Sequence, residues 1–319
     1  FFQAQDGIRD SSTSRGLGDV YKRQKLGLGY EDIREQFPNL VYCSVTGFGQ
    51  TGPYAPRAGY DFLAQGIGGI MSITGAPEGE PVKVGVGIAD VMTGMYASTA
   101  ILAALRHRDA TGEGQHIDTC LLDTQISWLI NEGTNYLISG KIPKRLGNEH
   151  PNIVPYKVFS TSDGYVILAV GNDRQFRDWC TAAGADDLKD DERFKTNPLR
   201  IKNREVLYQK MPSFMKRKTT KEWLSIMEEV KVPCSPVNNI EQVFDDPHVK
   251  HREMKIEMDH ELSGSGKVPL IGNPLKLSAT PPQYRRPPPT LGQHTEEVLS
   301  EILELNSQEI KELRNKGAI

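Results

Sequence analysis

The chain has 319 residues, enough for two domains and a sizeable core, with 38% hydrophobic residues, 25% charged residues and a net charge of −3. That balance lacks the basic excess needed to hold nucleic-acid phosphates or an anionic membrane surface, so neither kind of partner is expected. The four cysteines (Cys43, Cys120, Cys180, Cys234) stand singly with no metal spacing and read as small buried residues in a reducing compartment, and no apolar run reads as long enough to cross a bilayer.

Phe1 to Gln24 shows neither helical nor strand periodicity and lacks the apolar centre of a signal peptide. It resembles translated adapter sequence, so residues 1–24 are expected to be a non-native leader, and the fold is read from Lys25. A short loop and a helix from about Tyr30 to Gln36 come first, stopped by Pro38. Leu40 to Thr46 is a continuous apolar strand of the kind buried in parallel sheets.

Gly47-Phe-Gly-Gln-Thr-Gly52 then matches G-x-G-x-x-G, but Pro53 and Pro56 forbid the helix that a dinucleotide site needs, so a loop is expected. Phe62 to Met71 contains Gly66, Gly68 and Gly69, a sign of close backbone packing or a turn. Pro81 to Ile88 reads as a short strand and Val91 to His107 as a helix with Met92, Met95, Thr99 and Leu102 along one face. Asp90 is therefore expected at a strand-to-helix junction, where two jobs are open to a carboxylate, and they are compatible. As an N-cap it would accept from the first-turn N–H groups. As a nucleophile, kept ionised by the positive helix end, it would attack an acyl carbon.

A strand over Gln115 to Leu122 and a helix from Asp123 to Tyr136, with Ile126, Leu129 and Ile130 inward, complete a parallel α/β layer. Gly140 to Pro155 reads as a linker. A hairpin turning at Ser162-Asp-Gly164 follows, with helices at Asp173–Ala183, Asn203–Met215 and Thr220–Glu229, an α+β pattern. Val232 to Val237 is expected to be a connection and Pro281 to Pro289 an extended stretch. Thr295 is expected to cap a helix carrying Glu296 and Glu297 in its first turn, and a last helix runs from about Ser307 to Lys316.

Several of these stretches together carry a resemblance: Leu26-Gly-Leu-Gly-Tyr-Glu-Asp32, Ser44 to Pro53, Arg57-Ala-Gly-Tyr-Asp61, Ala89-Asp-Val-Met-Thr-Gly94 and Leu291-Gly-Gln-His-Thr295. In this order they resemble the family III CoA-transferases from Lys25 to the C-terminus. Asn152 to Tyr156 and Gly171 to Phe176 are most similar to members that exchange CoA between succinate and glutarate. The resemblance implies an α/β fold, with a Rossmann-like large domain truncated at its N-terminus, a smaller α+β domain, and a chain that returns to the large domain. The expected boundaries are 25–139 for the large domain, 140–155 for the linker, 156–262 for the small domain and 263–319 for the return. Roughly a hundred residues of βαβ units would precede Lys25 in relatives.

The resemblance places the nucleophile at Asp90, with Tyr60 and Asp61 flanking the reacting acyl group. Lys25 and Leu26, and more loosely Arg57, fall where relatives touch CoA; Arg145 or Lys144 is a candidate for a distal carboxylate. The expected reaction moves CoA from an acyl-CoA, succinyl-CoA in the first instance, to a small carboxylic acid such as glutarate. It runs through an aspartyl anhydride and thioester, with no permanently bound cofactor and no metal. Relatives form interlocked homodimers, and the expected compartment is cytoplasmic, with the mitochondrial matrix as the alternative. Racemases of the same fold place a histidine where this chain has Tyr60, and tyrosine cannot serve as an imidazole base near neutral pH. A racemase-like enzyme and a silent CoA-binding fragment are the alternative readings.

Overall fold

The computed structural model describes residues 25–319, so the expected leader lies outside the described residues. By its contacts the chain forms two compact units, one ending at Ser235 and one running from Pro236 to Ile319.

In the first unit, β1 (Tyr42–Thr46) and β2 (His116–Cys120) pair in parallel, with Tyr42 opposite His116 and Thr46 opposite Cys120. Before β1 stands a short helix, α1 (Tyr30–Ile33). Parallel partners need a crossover, and the segment between the strands supplies it with α2 (Asp61–Ile67), α3 (Ile70–Ile73) and α4 (Ile88–Thr111). After β2 come α5 (Leu121–Ser127) and α6 (Ile130–Ser139). The alternation is the expected α/β layer, and the G-x-G-x-x-G segment is a loop as read. Its first glycine serves packing: a Cβ added to Gly47 would lie 2.4 Å from the Gly59 Cα, so loop start and loop end touch backbone to backbone.

Three expectations fail here. Residues 81–87 form no strand; without a partner ladder, the Val84 N–H bonds a side chain instead. The helix after β2 breaks in two near Trp128, where Ile130 takes a positive φ of 41°. Its buried residues are Leu121, Thr124 and Gln125, while Ile126 and Ile130 are exposed. In α4 the buried positions are Ala89, Thr93, Ala97 and Ala104, whereas Met95 and Leu102 face outward. Small residues let α4 lie close on β1, β2, α2 and α5, and the larger apolar side chains have no room on that side. By length and composition alone this 24-residue helix could cross a membrane, contrary to the sequence reading.

The large core of the first unit lies further on. Strands β3 (Tyr156–Ser160) and β4 (Tyr165–Ala169) form the expected antiparallel hairpin, and β5 (Cys234–Pro236) lies beside β4. The stretch read as a connection thus supplies an edge strand, a place that tolerates Pro233 and Pro236. With this sheet go α7 (Asp173–Ala183), α8 (Asp186–Lys189), α9 (Asn197–Lys202), α10 (Arg204–Met215) and α11 (Thr220–Glu229), of which α10 packs on β3 and α11 on β4. Asn172 caps α7 through the Gln175 N–H, and Thr219 with Glu222 forms a capping box on α11. Phe176, Trp179, Phe194, Leu207, Met211 and Trp223 form the centre of the buried cluster.

The second unit holds α12 (Ile240–Asp245), α13 (Pro247–His251), a hairpin of β6 (Lys255–Asp259) and β7 (Lys267–Ile271), then α14 (Thr295–Glu301) and α15 (Ser307–Asn315). Thr295 is the first residue of α14 rather than its cap; His294 holds that position and makes no side-chain capping bond. Glu296 and Glu297 do occupy the first turn, and Asn306 caps α15.

One buried charge organises the core. The Arg200 guanidinium is fully buried; Nε donates to Val154 O at 2.6 Å, Nη1 to Phe194 O at 3.0 Å and Nη2 to Asp173 Oδ1 at 2.9 Å. Replacing Arg200 by Met leaves two carbonyls and a carboxylate without their donor. We expect Arg200→Met to lower unfolding free energy by about 3 kcal/mol, read as a drop in the urea midpoint.

Candidate active site

Asp90 is the third residue of α4, not its N-cap, and it is exposed in the first turn where the helix dipole favours a carboxylate. The cap position belongs to Gly87, which has no side chain to offer the unpaired N–H groups. Asp61, the first residue of α2, supplies the missing acceptor: its Oδ1 takes the Ala89 N–H at 2.8 Å. Its other oxygen, Oδ2, accepts from Gln65 Nε2 at 2.7 Å, and Gln65 Oε1 accepts the Val84 N–H at 2.8 Å. Residues 84–89 are thereby fastened at both ends by one turn of α2.

The two carboxylates meet at Gly87. A methyl placed there would sit 3.6 Å from Asp90 Oδ2 and 3.8 Å from Asp61 Oδ1, ordinary contact distances, so both carboxylates border the bare glycine backbone. Beneath them Ala64, Ala89 and Leu121 form a small buried cluster where α2, α4 and α5 meet. Asp61 has both oxygens committed to donors, which ties up its lone pairs and dulls it as a nucleophile.

Of the residues expected at the site, the structure brings Asp61 and Asp90 together. Tyr60 precedes Asp61 as the extended N-cap residue of α2 and is 39% exposed. Arg57 lies in the loop before α2, its guanidinium 3.8 Å from the centre of the Tyr54 ring, a cation–π contact. Lys25 and Leu26 lie just before α1 and are exposed. Arg145 is not poised for a substrate carboxylate: Nε and Nη2 donate to Ala76 O and Gly79 O at 3.1 and 2.7 Å, pinning the 76–79 turn. Lys144 beside it is exposed. Gln65 was missed by the sequence reading, although Asp61 and Gln65 stand four apart, the spacing at which helical side chains meet.

A separate cleft of 570 Å³ lies on β1 and β2, lined by Tyr30, Tyr42, Ser44, Gln50, His116 and Asp118 among others. Ser44 Oγ lies 3.0 Å from His116 Nε2, a pairing of the kind that activates a hydroxyl. Among the described residues, however, no carboxylate bonds His116, so the third, orienting group of such a site is missing. Glu31, Asp32 and Asp118 line the same cleft and disfavour phosphate.

The thiols are poor rivals as nucleophiles. Burial pushes Cys180 up to about 12 and Cys234 up to about 11, and raises Cys43 and Cys120 as well. Among the described residues no group of histidine, cysteine and carboxylate side chains is placed to hold a metal ion.

The model of CoA-transferase family III matches residues 19–295. The succinate–glutarate CoA-transferase of Agrobacterium fabrum is 48% identical, over 87% of this chain and 69% of that protein. The human succinyl-CoA:glutarate CoA-transferase is 42% identical, over 93% of this chain and 68% of that protein. A solved CAIB/BAIF family protein from Brucella suis superposes with a TM-score of 0.77 at 45% identity, covering 88% of this chain and 73% of that one.

The raised thiols yield a test. At about pH 8, iodoacetamide should leave Cys120 and Cys180 unlabelled in the folded protein and label both in urea. Peptide mass spectrometry reads the result; rapid labelling of either in the folded state would reinstate a thiol nucleophile.

Proposed function

The chain belongs to CoA-transferase family III, and we propose that Asp90 is the nucleophile through which this enzyme moves CoA between two carboxylic acids. The names of the relatives support dicarboxylates, with succinyl-CoA as donor and glutarate as acceptor. The observation that carries the assignment is the pair of carboxylates at Gly87, one committed to two donors and the other in the first turn of α4.

The chemistry explains why a carboxylate is wanted. An Asp90 oxygen attacks the thioester carbonyl, the C–S bond breaks, and CoA leaves as thiolate while a mixed anhydride forms. The thiolate attacks the Asp90 carbonyl, expelling the donor acid and leaving an aspartyl-CoA thioester. The acceptor carboxylate reverses both steps, forming a new anhydride from which the thiolate takes the acceptor acyl group. Atoms and charge balance without ATP or any net proton change, so the group-transfer potential of the thioester is conserved. Each step passes through an oxyanion that needs N–H donors nearby, and the exposed backbone around Gly85 and Gly87 can approach closely enough to provide them. Water must be kept from the anhydride, or the enzyme becomes a thioesterase.

Tyr60 and Asp61 flank the acyl group in this reading, and Lys25, Leu26 and Arg57 meet CoA. With Arg145 engaged by carbonyl oxygens, Lys144 is the cation left to meet a distal carboxylate. The assembly is a homodimer, supported by the apolar side chains that the first unit leaves uncovered: Leu137 and Ile138 on α6 are each 82% exposed, and Met95 and Leu102 on α4 are also outward. A cytoplasmic setting suits four unpaired cysteines.

Two measurements test this reading. Incubated with succinyl-CoA, the protein should carry a covalent adduct of succinyl or CoA mass on the peptide containing Asp90, absent from Asp90→Asn; an enzyme that exchanges CoA without that adduct sinks the mechanism. In light scattering the 35.5 kDa chain should run at twice its mass, and a monomer at micromolar concentration would rule out the dimer.

A further inference from the structure

We propose that Gln65 is the positioning residue that holds residues 84–89 in register with Asp90, an inference that rests on the reading of Asp90 as nucleophile. Gln65 is fully buried, an expensive place for an amide unless its polar atoms are paired. Here they are paired in a specific sense. Its nitrogen donates to Asp61 Oδ2 at 2.7 Å and its oxygen accepts from Val84 N at 2.8 Å. Only an amide offers a donor to a carboxylate at one atom and an acceptor to a backbone N–H at the other. A leucine of similar size offers neither, and a glutamate offers the donor only when protonated.

The segment it holds has little other support. Residues 81–87 form neither helix nor strand, and two of the last three are glycines. Beyond the Gln65 bond, Val82 N reaches Thr74 O at 3.4 Å and Ile88 N bonds Val86 O at 2.8 Å within the segment itself. At its far end the Ala89 N–H is held by Asp61, whose carboxylate is in turn oriented by Gln65. One buried amide therefore sets both ends: Val84 directly, and Ala89 through Asp61. Between those ends lie the backbone groups that border Asp90, including Gly87, and their placement decides whether N–H donors meet the oxyanion of each step. Gln65 itself lies under this surface and is not a catalytic residue.

The test compares Gln65→Leu and Gln65→Glu with the unsubstituted chain, with folding checked by circular dichroism. Gln65→Leu should lower kcat by about 100-fold while KM for succinyl-CoA moves less than about 3-fold, and the Asp90 adduct should form correspondingly slowly. Gln65→Glu places a second carboxyl against Asp61, and such a pair holds a shared proton to raised pH. The elements packed at this point carry Asp90 at the start of α4, Lys83 in the held segment and the exposed Asp123 on α5. Protonated, the glutamate reproduces the donor–acceptor pair of the amide. Its kcat relative to the unsubstituted chain should therefore recover as pH falls from about 8 to about 5.5, a recovery that a merely space-filling role would not produce.

A folded Gln65→Leu with unchanged kcat overturns the proposal. If that variant does not fold, Gln65→Glu decides, and a kcat ratio flat across pH overturns it. The underlying reading fails separately: if Asp90→Asn exchanges CoA at the unsubstituted rate, Asp90 is not the nucleophile and this inference falls with it.

Discussion

A helix leaves its first N–H groups unpaired, and α4 begins on a glycine that cannot cap it. The acceptor comes instead from Asp61 on α2, so the start of the helix bearing Asp90 is defined by a tertiary contact rather than a local one. That choice has consequences. A local cap would occupy the space beside the first turn with its own side chain. Importing the cap lets the position be glycine, and that keeps the backbone next to Asp90 bare. The same contact makes α2 and α4 interdependent: neither end can shift without losing the Asp61–Ala89 bond. The apolar counterpart of that bond is the small cluster of Ala64, Ala89 and Leu121.

The two halves of the first unit are stabilised differently. Residues 154–232 bury two tryptophans, several phenylalanines and methionines, and an arginine bonded through all three of its nitrogens around a three-stranded sheet. The α2–α4–α5 region instead relies on close approach of small residues and on side-chain-to-backbone hydrogen bonds such as those of Asp61 and Gln65. Burying an alanine releases little apolar area, so geometry in that region is specified by polar bonds more than by bulk. Val91, Met95, Tyr96 and Leu102 of α4 are turned outward. A surface of this kind is normal for a chain that completes its core against another chain or segment.

This division explains what could be read from the sequence. The capped, amphipathic helices were legible nearly to the residue: Asp173–Ala183 and Thr220–Glu229 match their expected bounds, because a polar cap and a periodic apolar stripe are local signals. The β3–β4 hairpin was legible from its Asp-Gly turn for the same reason. The strand read over 81–88 failed because β-branched residues mark only a propensity, and a strand needs a partner that this segment lacks. In α4 the stripe of Met95 and Leu102 is legible as one face, but contact distance selects small residues for the buried one, which apolar periodicity does not mark. At the site, Asp90 was visible through its motif. The capping role of Asp61 was not, because it depends on a residue 28 positions away. Hydrogen bonds that join elements so distant carry no periodicity.

The same geometry separates two neighbouring carboxylates that composition cannot tell apart. Both face Gly87, and both begin or nearly begin a helix. A carboxylate that accepts an N–H on each oxygen has its lone pairs held in place, and attack by either oxygen would first have to break a bond that defines the fold. Asp61 is in that position. A nucleophile that must pass through anhydride, thioester and anhydride again needs its carbonyl carbon accessible and its oxygens able to change bonding at every step. An exposed first-turn position bordered by glycine suits the nucleophile proposed at Asp90, the residue directly after Ala89, whose N–H the neighbouring carboxylate holds. The bonds to Gln65 and Ala89 mark Asp61 as the carboxylate that holds the backbone in place, in keeping with the proposal that Asp90 is the reactive one.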